Sequence, residues 1–533
     1  MFGLLRKGLQ ALFPAHTVGG QVLRIVMARL GNTRDRLVAN PFVTYTKRVE
    51  PIAFHAPIQT PSTCDQPLFS VIIPFFNTAD AYLVPLLDCL SSQSFSDWEV
   101  IMADASTNED RSWRIEELSH RDPRFRYVRL GENRGISTNT NEALGHALGQ
   151  YIVFADHDDT LSHHALNEVA VAIADHPGVD VLYSDEDALS DDGLRRKRPH
   201  FKPSWSPHMF LEMNYTNHLS VIKAALIHEV GGLRPERDGA QDYDLLLRIH
   251  ALPRQIQVVH IPKILYHWRE AENSTSRTID TKTYAVQAGQ AALTDYLDAI
   301  GVSHDPVGVL PERPFWYHCR PRWSCRADVV VMVSEDDRAN RHFEKLLRGA
   351  TAATWVVPSF IALSPACDIR AHCDSGTADV VIVVRSMFLP ETPDWLDELA
   401  GVLALPKTAA VAPLLMRNMR HEIVNAGLMD DQGRLRPLYP GGDVTVYPLA
   451  GPPDLVRDVD GLDPGVVAFP RASGHSELFL PGVVDGRNWS DYLVMWGPVR
   501  FRPAKIPARD KRLNDNLMPR GASVVFRNSM GTR

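Results

Sequence analysis

Short apolar runs separated by stretches with helical spacing set the rhythm of residues 69–184. The run at 69–75 reads Phe-Ser-Val-Ile-Ile-Pro-Phe and is rich in β-branched side chains. Similar runs follow at 98–104, 151–156 and 179–184. Runs of this length and composition predict buried strands. Helix-like stretches at 81–92 and 138–148 fall between them. Strands alternating with helices predict a parallel sheet in an α/β domain. Upstream, Pro41, Pro51, Pro57, Pro61 and Pro67 break any periodicity and predict a connector over 37–67.

Asp104 and Asp156 close two of the expected strands. In open α/β sheets ligands bind in the crevice at the carboxyl ends of the strands. Asp156-His157-Asp158-Asp159 puts three acids at one such end. Hard divalent cations take oxygen ligands and commonly share them with substrate phosphates. The spacing therefore suits a metal–diphosphate site, although a solvated acidic turn has the same composition.

Length and charge add limits. A chain of 533 residues holds two to four domains at ordinary domain sizes. With 44% hydrophobic and 23% charged residues it is neither disordered nor a disulfide scaffold. Its net charge of −8 gives no basic footprint, so nucleic acid is not an expected partner. Six cysteines with no zinc-type spacing read as free thiols. No apolar run is long enough to span a bilayer. Residues 1–36 nevertheless carry Arg6, Lys7, Arg24, Arg29, Arg34 and Arg36 against Asp35, with recurrent Leu, Val and Phe. Such a segment lies on an anionic membrane surface or packs as a helix on its own domain.

The motifs in order resemble the family 2 glycosyltransferases of the GT-A fold, most of all those that build bacterial O-antigens and other surface polysaccharides. Ser70-Val-Ile-Ile-Pro74-Phe-Phe-Asn77 resembles the family's opening strand. Ile101-Met-Ala-Asp104, Glu132-Asn-Arg134-Gly135, Thr138-Asn-Thr-Asn141 and Asp156-His-Asp158 follow in family order. Tyr183-Ser-Asp185-Glu186-Asp187, Phe201-Lys202-Pro-Ser-Trp205, Gln241-Asp242-Tyr-Asp244 and Tyr266-His267-Trp268-Arg269 complete the set. The resemblance implies a nucleotide-sugar donor of UDP or dTDP type, held by Pro74, Asn77, Asp104, Arg134, Asn141, Asp156 and Arg269. It implies Mn²⁺ or Mg²⁺ on Asp158 and Asp156, with His267 as a late ligand. Arg269 serves equally well as an ion-pair partner. Asp242 is implied as the base of an inverting transfer, with Asp244 as its rival. Asp185, Glu186 and Asp187 are placed on the acceptor side, and Trp205 against a sugar or in the core. The implied acceptor is a growing glycan, lipid-linked at the cytoplasmic membrane face.

The second half repeats the pattern in eroded form. Residues 327–334 and 378–384 read as strands, but Arg385-Ser-Met stands where the acidic motif belongs. The expected organisation is a basic leader and linker over 1–67, a catalytic GT-A domain over 68–302 and a degenerate GT-A-like α/β domain over 303–533. Two other readings remain. One is a non-catalytic glycan-binding scaffold. The other is a nucleotidyltransferase, although Pro74-Phe-Phe-Asn-Thr lacks the glycine- and lysine-rich loop of that class.

Overall fold

A computed structural model describes residues 50–58, 66–270, 279–310 and most of 313–417. It also describes Phe42, Thr46 and separate strands between 422 and 503. The leader at 1–36 and the turn at 385–387 lie outside the described residues, as do the later landmarks at 426–427 and 488–491.

Four strands form the parallel part of the first sheet: β1 (Phe69–Phe75), β2 (Trp98–Asp104), β3 (Phe125–Arg129) and β4 (Tyr151–Phe154). Their order is β3-β2-β1-β4. Every residue of β2 is buried, as is all of β1 except Pro74, because helices cover both faces. These helices are α1 (Asp80–Ser91), α2 (Glu109–Ser119) and α3 (Ile136–Leu144). Asn108 caps α2 through the Arg111 amide, and Glu109 and Asp110 favour its dipole. The expected helix at 138–148 starts two residues earlier and stops at Leu144.

At the amino ends of the strands Glu99 holds three elements together. It accepts from Ser70 Oγ at 2.7 Å, the Leu148 amide at 2.6 Å and Arg126 at 3.0 Å. The chain crosses β1 here at Gly149, where a Cβ would lie 2.4 Å from the Ser70 nitrogen. Only glycine permits that approach.

Beyond β4 the sheet continues with β5 (Thr160–Leu161), β6 (Val181–Leu189), β7 (Arg196–His200), β8 (Ser220–Lys223) and β9 (Val258–Arg269). Strand β8 runs antiparallel to β4 and β6, β9 is parallel to β6, and β5 is antiparallel to β9. Helix α4 (Ala165–Asp175) follows β5, and α5 (Pro207–Phe210), α6 (Gln241–His250) and α7 (Ile279–Ala299) come later. Part of the expected connector is anchored. The His55 and Ile58 amides donate to Glu168 and Asn167 of α4, and Glu50 pairs with Arg196.

A second sheet uses β10 (Cys325–Met332), β11 (Val356–Leu363), β12 (Val380–Val384), β13 (Phe388–Pro390), β14 (Thr408–Arg417), β15 (Val466–Pro470) and β16 (Tyr492–Pro503). Its order is β11-β10-β12-β15-β14-β16-β13. From β2 onward the first sheet reads β2-β1-β4-β8-β6-β9-β5. Each neighbouring pair has the same sense in the two sheets, parallel where parallel and antiparallel where antiparallel. Helix α8 (Asp337–Gly349) sits between β10 and β11 as α1 sits between β1 and β2. Helix α9 (Trp395–Leu403) follows β13 as α4 follows β5.

The two sheets share a core. Tyr243, Leu247 and Leu293 pack in one cluster with Val329, Ile382 and Trp395. A polar latch crosses the seam. Asp458 accepts from Ser206 Oγ at 2.7 Å and faces His208 Nδ1 at 2.6 Å, while His208 Nε2 meets Thr408 Oγ1 at 2.8 Å. His208 is 4% exposed, so removing Asp458 leaves buried polar groups unpaired. In urea, Asp458→Ala should lose about 3 kcal/mol, with the second sheet unfolding ahead of β1–β4. A single unchanged transition would show that the latch contributes nothing.

Candidate active site

Strands β1 and β4 part at their carboxyl ends. Their pairing stops at Ile72↔Phe154, whereas β1 stays with β2 through Phe75↔Asp104. Pro74 therefore occupies a stretch where β4 has already turned away, and its missing N–H costs no bond on that side. The chain leaving β4 forms the acidic turn Asp156–Asp159, which strand β9 supports from behind. Asp159 is 1% exposed and accepts from Tyr266 Oη at 2.7 Å and the Arg269 amide at 2.6 Å. Tyr266 Oη also accepts from the Asp156 amide at 3.1 Å. Arg269 Nε donates to the Asp158 carbonyl at 2.7 Å.

Arg269, expected at the donor phosphates or in an ion pair, is 2% exposed, donates to the Asp158 and Asp191 carbonyls and lies over the Tyr82 ring. In this position it braces the turn.

Burial pushes the Asp158 carboxyl above the usual carboxylate range, with a further contribution from Asp156 and opposition from His157 and Arg269. Asp159 is pushed well up by burial and by the charges of Asp156 and Asp158. Asp156 is the open member, its side chain 49% exposed. Crowded, partly desolvated carboxylates of this kind fit a divalent cation, which would relieve their repulsion. His267 directs Nδ1 to Asp187 at 2.7 Å. A carboxylate on one ring nitrogen is the usual support for a histidine that ligates through the other. Among the described residues no three His, Cys, Asp or Glu side chains converge as a preformed cage. The fit therefore rests on Asp156 and Asp158 sharing a cation with donor phosphates.

Asp242 and Asp244 begin α6 and diverge as their spacing requires. Asp244 is 1% exposed and bound by both Arg234 and Arg248, which removes it as the rival base. Asp242 lines a small cavity with Phe154, His218 and Leu246. Asn217 Nδ2 donates to its Oδ2 at 2.7 Å. Burial raises the Asp242 carboxyl, Asp156 adds to this, and His218 opposes it.

His218, absent from the sequence-based set, connects the two acids. Its Nε2 lies 3.6 Å from Asp156, its ring stacks on Tyr266, and its buried Nδ1 has no hydrogen-bond partner among the described residues. Glu186 accepts from the His218 amide at 2.6 Å, and Lys202 donates to its carbonyl at 2.6 Å. Burial raises the Glu186 carboxyl, but Lys202, His200 and His218 outweigh it and hold it at about 2. The only sequence signal for His218 is a polar Asn-His pair directly before a short apolar strand.

The other residues expected at the donor make contacts within the chain. Asp104 is fully buried, and its carboxylate accepts from the Ser106 amide and Tyr127 Oη. Asn141 is turned to the main chain of Leu233, bonding its carbonyl at 2.7 Å and its amide at 2.9 Å. Arg134 pairs with Glu142 at the surface. Asn77, at φ 51°, accepts from the Thr107 and Asn108 amides and ties the loop after β1 to the loop after β2. Asp185 and Asp187 are buried against His260 and Arg196, so of the three acids expected to face the acceptor only Glu186 keeps some exposure.

Residues 70–230 match the family model Glycosyl transferase family 2. Uncharacterized protein y4gI of Sinorhizobium fredii is 33% identical over 413 residues, covering 70% of this chain and 45% of that protein. O-antigen biosynthesis protein RfbC of Myxococcus xanthus is 32% identical over 386 residues, covering 66% and 30% respectively. The chain thus spans less than half the length of either relative. S. aureus TarS 1-349 in complex with UDP-GlcNAc is 20% identical, covering 43% of this chain and 72% of that one, at a TM-score of 0.34. The family match falls on the first sheet and its acidic turn, so the similarity to glycosyl transferase family 2 is carried by residues 70–230.

Proposed function

We propose that the chain transfers a sugar, with inversion, from a nucleoside diphosphate sugar to a growing surface glycan. The observation that carries this is Asp242, held by Asn217 on a cavity wall that also bears His218, with Asp156 beyond. The acceptor hydroxyl gives its proton to Asp242 as its oxygen bonds to the anomeric carbon. The bond from that carbon to the diphosphate oxygen breaks on the opposite face, and the electron pair leaves with the diphosphate. No second nucleophilic carboxylate is required. Asp156 and Asp158 are the residues that hold Mn²⁺ or Mg²⁺, with His267 next to them. When bound, the cation neutralises charge on the leaving diphosphate.

Residues 303–533 act in this reading as a degenerate copy of the catalytic domain. The shared strand order supports the copy, and the loss of acids at 385–387 supports its degeneracy. The acceptor is lipid-linked and the enzyme sits at the inner face of the membrane. The basic leader supports that placement, and no described helix is long and apolar enough to cross a bilayer.

Asp242→Asn should leave UDP or dTDP binding intact and lower transfer by about 10²–10⁴-fold. Because the Asp242 carboxyl is raised and only its ionised form accepts a proton, wild-type transfer should climb with pH through a midpoint above the ordinary value of about 3.9. Transfer that survives Asp242→Asn with the same pH profile excludes Asp242 as the base. For the cation, calorimetry with Mn²⁺ should show UDP binding that depends on the metal and is lost in Asp158→Ala. Equal UDP affinity with and without Mn²⁺ in the wild type would remove the metal from this site.

A further inference from the structure

The seam between the two sheets holds a second cleft, at the far end of α6 from the base. It has a volume of about 210 Å³. A cavity of about 150 Å³ accommodates benzene, so this space admits one six-membered ring. Trp205, His250 and Tyr296 form the wall contributed by the first part of the chain, and Leu405, Pro406 and Lys407 contribute the other side. His250 stacks parallel on Tyr296 at 5.7 Å and meets Trp205 edge-on at 5.5 Å. Neither ring nitrogen of His250 has a hydrogen-bond partner among the described residues.

The side chains that line the cleft include Lys407 and Arg254 but no Asp or Glu, while Asp458 stands behind the lining His208 and is bound to it. Arg254 already pairs with Glu229, whereas Lys407 is exposed and has no ion-pair partner among the described residues. Lys407 also sits at φ 60°, a backbone conformation that glycine adopts far more easily.

An aromatic wall next to an unpaired cation has the chemistry of a site for an anionic sugar: the ring packs against the aromatic faces and the anion meets the ammonium group. Asp242 and His250 are eight residues apart on one helix, about 12 Å at 1.5 Å per residue. An extended oligosaccharide covers that distance. We propose that this cleft is a subsite for an acidic sugar residue of the glycan being extended, with the ring against Trp205 and the carboxylate toward Lys407. The assignment rests on the glycosyl-transfer reading and adds the charge class of the acceptor.

The test is calorimetry on the full chain with tetragalacturonate, maltotetraose, inorganic phosphate and UDP. Tetragalacturonate should bind at least tenfold more tightly than maltotetraose and should not be displaced by UDP. Lys407→Gly, which suits the left-handed backbone, should weaken tetragalacturonate at least tenfold while leaving UDP affinity and the melting temperature unchanged. Trp205→Leu should weaken it as well. Equal binding of maltotetraose, competition by phosphate at similar concentration, displacement by UDP or indifference to Lys407→Gly would each overturn the subsite. So would the absence of tetragalacturonate binding in a protein that binds UDP, which leaves the transferase reading standing. If UDP does not bind, it is the transferase reading that fails.

Discussion

A carboxylate buried behind the acidic turn, Asp159, determines how the site is built. Burying an ionised carboxylate costs several kcal/mol unless donors surround it. Strand β9 supplies them through Tyr266 and the Arg269 main chain, and the Arg269 guanidinium then secures the Asp158 carbonyl. Charge-assisted bonds of this kind contribute about 1.5–3 kcal/mol each. They fix the turn rigidly enough for Asp156 to face outward while Asp158 stays half-covered. The turn thus crowds three carboxylates, and burial and their mutual charges raise Asp158 and Asp159.

Several parts of this arrangement were legible in the chain. Apolar runs ending in Asp marked β2 and the exit from β4, because a parallel strand buried on both faces leaves few alternatives in composition. The acidic turn was visible for the same reason. The partners chosen by long polar side chains were not. Asp242 and Asp244 look alike in sequence, and what separates them is Arg234 from the preceding segment together with Arg248 one turn along the same helix. Asn141 and Arg269 both read as ligand-binding groups, yet both bind main chain. Periodicity reports which face of an element is buried, and it carries no information about which distant carbonyl will need a donor. His218 went unnoticed because its position depends on Glu186 of β6 and on Lys202 in the segment after β7, both more than fifteen residues away.

The second sheet follows the strand order of the first from β2 onward, with each neighbouring pair in the same sense. Strand order and sense depend on apolar runs, and such runs recur in β10, β12 and β15. Acids at a strand end depend on single side chains, and the sequence at 385–387 has none.

The latch of Ser206, His208 and Asp458, together with the common core, bears on how this chain can be divided. The family match ends at residue 230, and the first sheet is complete at Arg269. A catalytic fragment cut near residue 302 would seem a natural unit. Yet Leu211, Tyr243 and Leu293 pack in the same cluster as Trp395 and Ile382, and the cut would open that cluster to water. The second sheet is therefore a wall of the first sheet's interior, and the smallest autonomous unit in this chain is larger than the region that the family model matches.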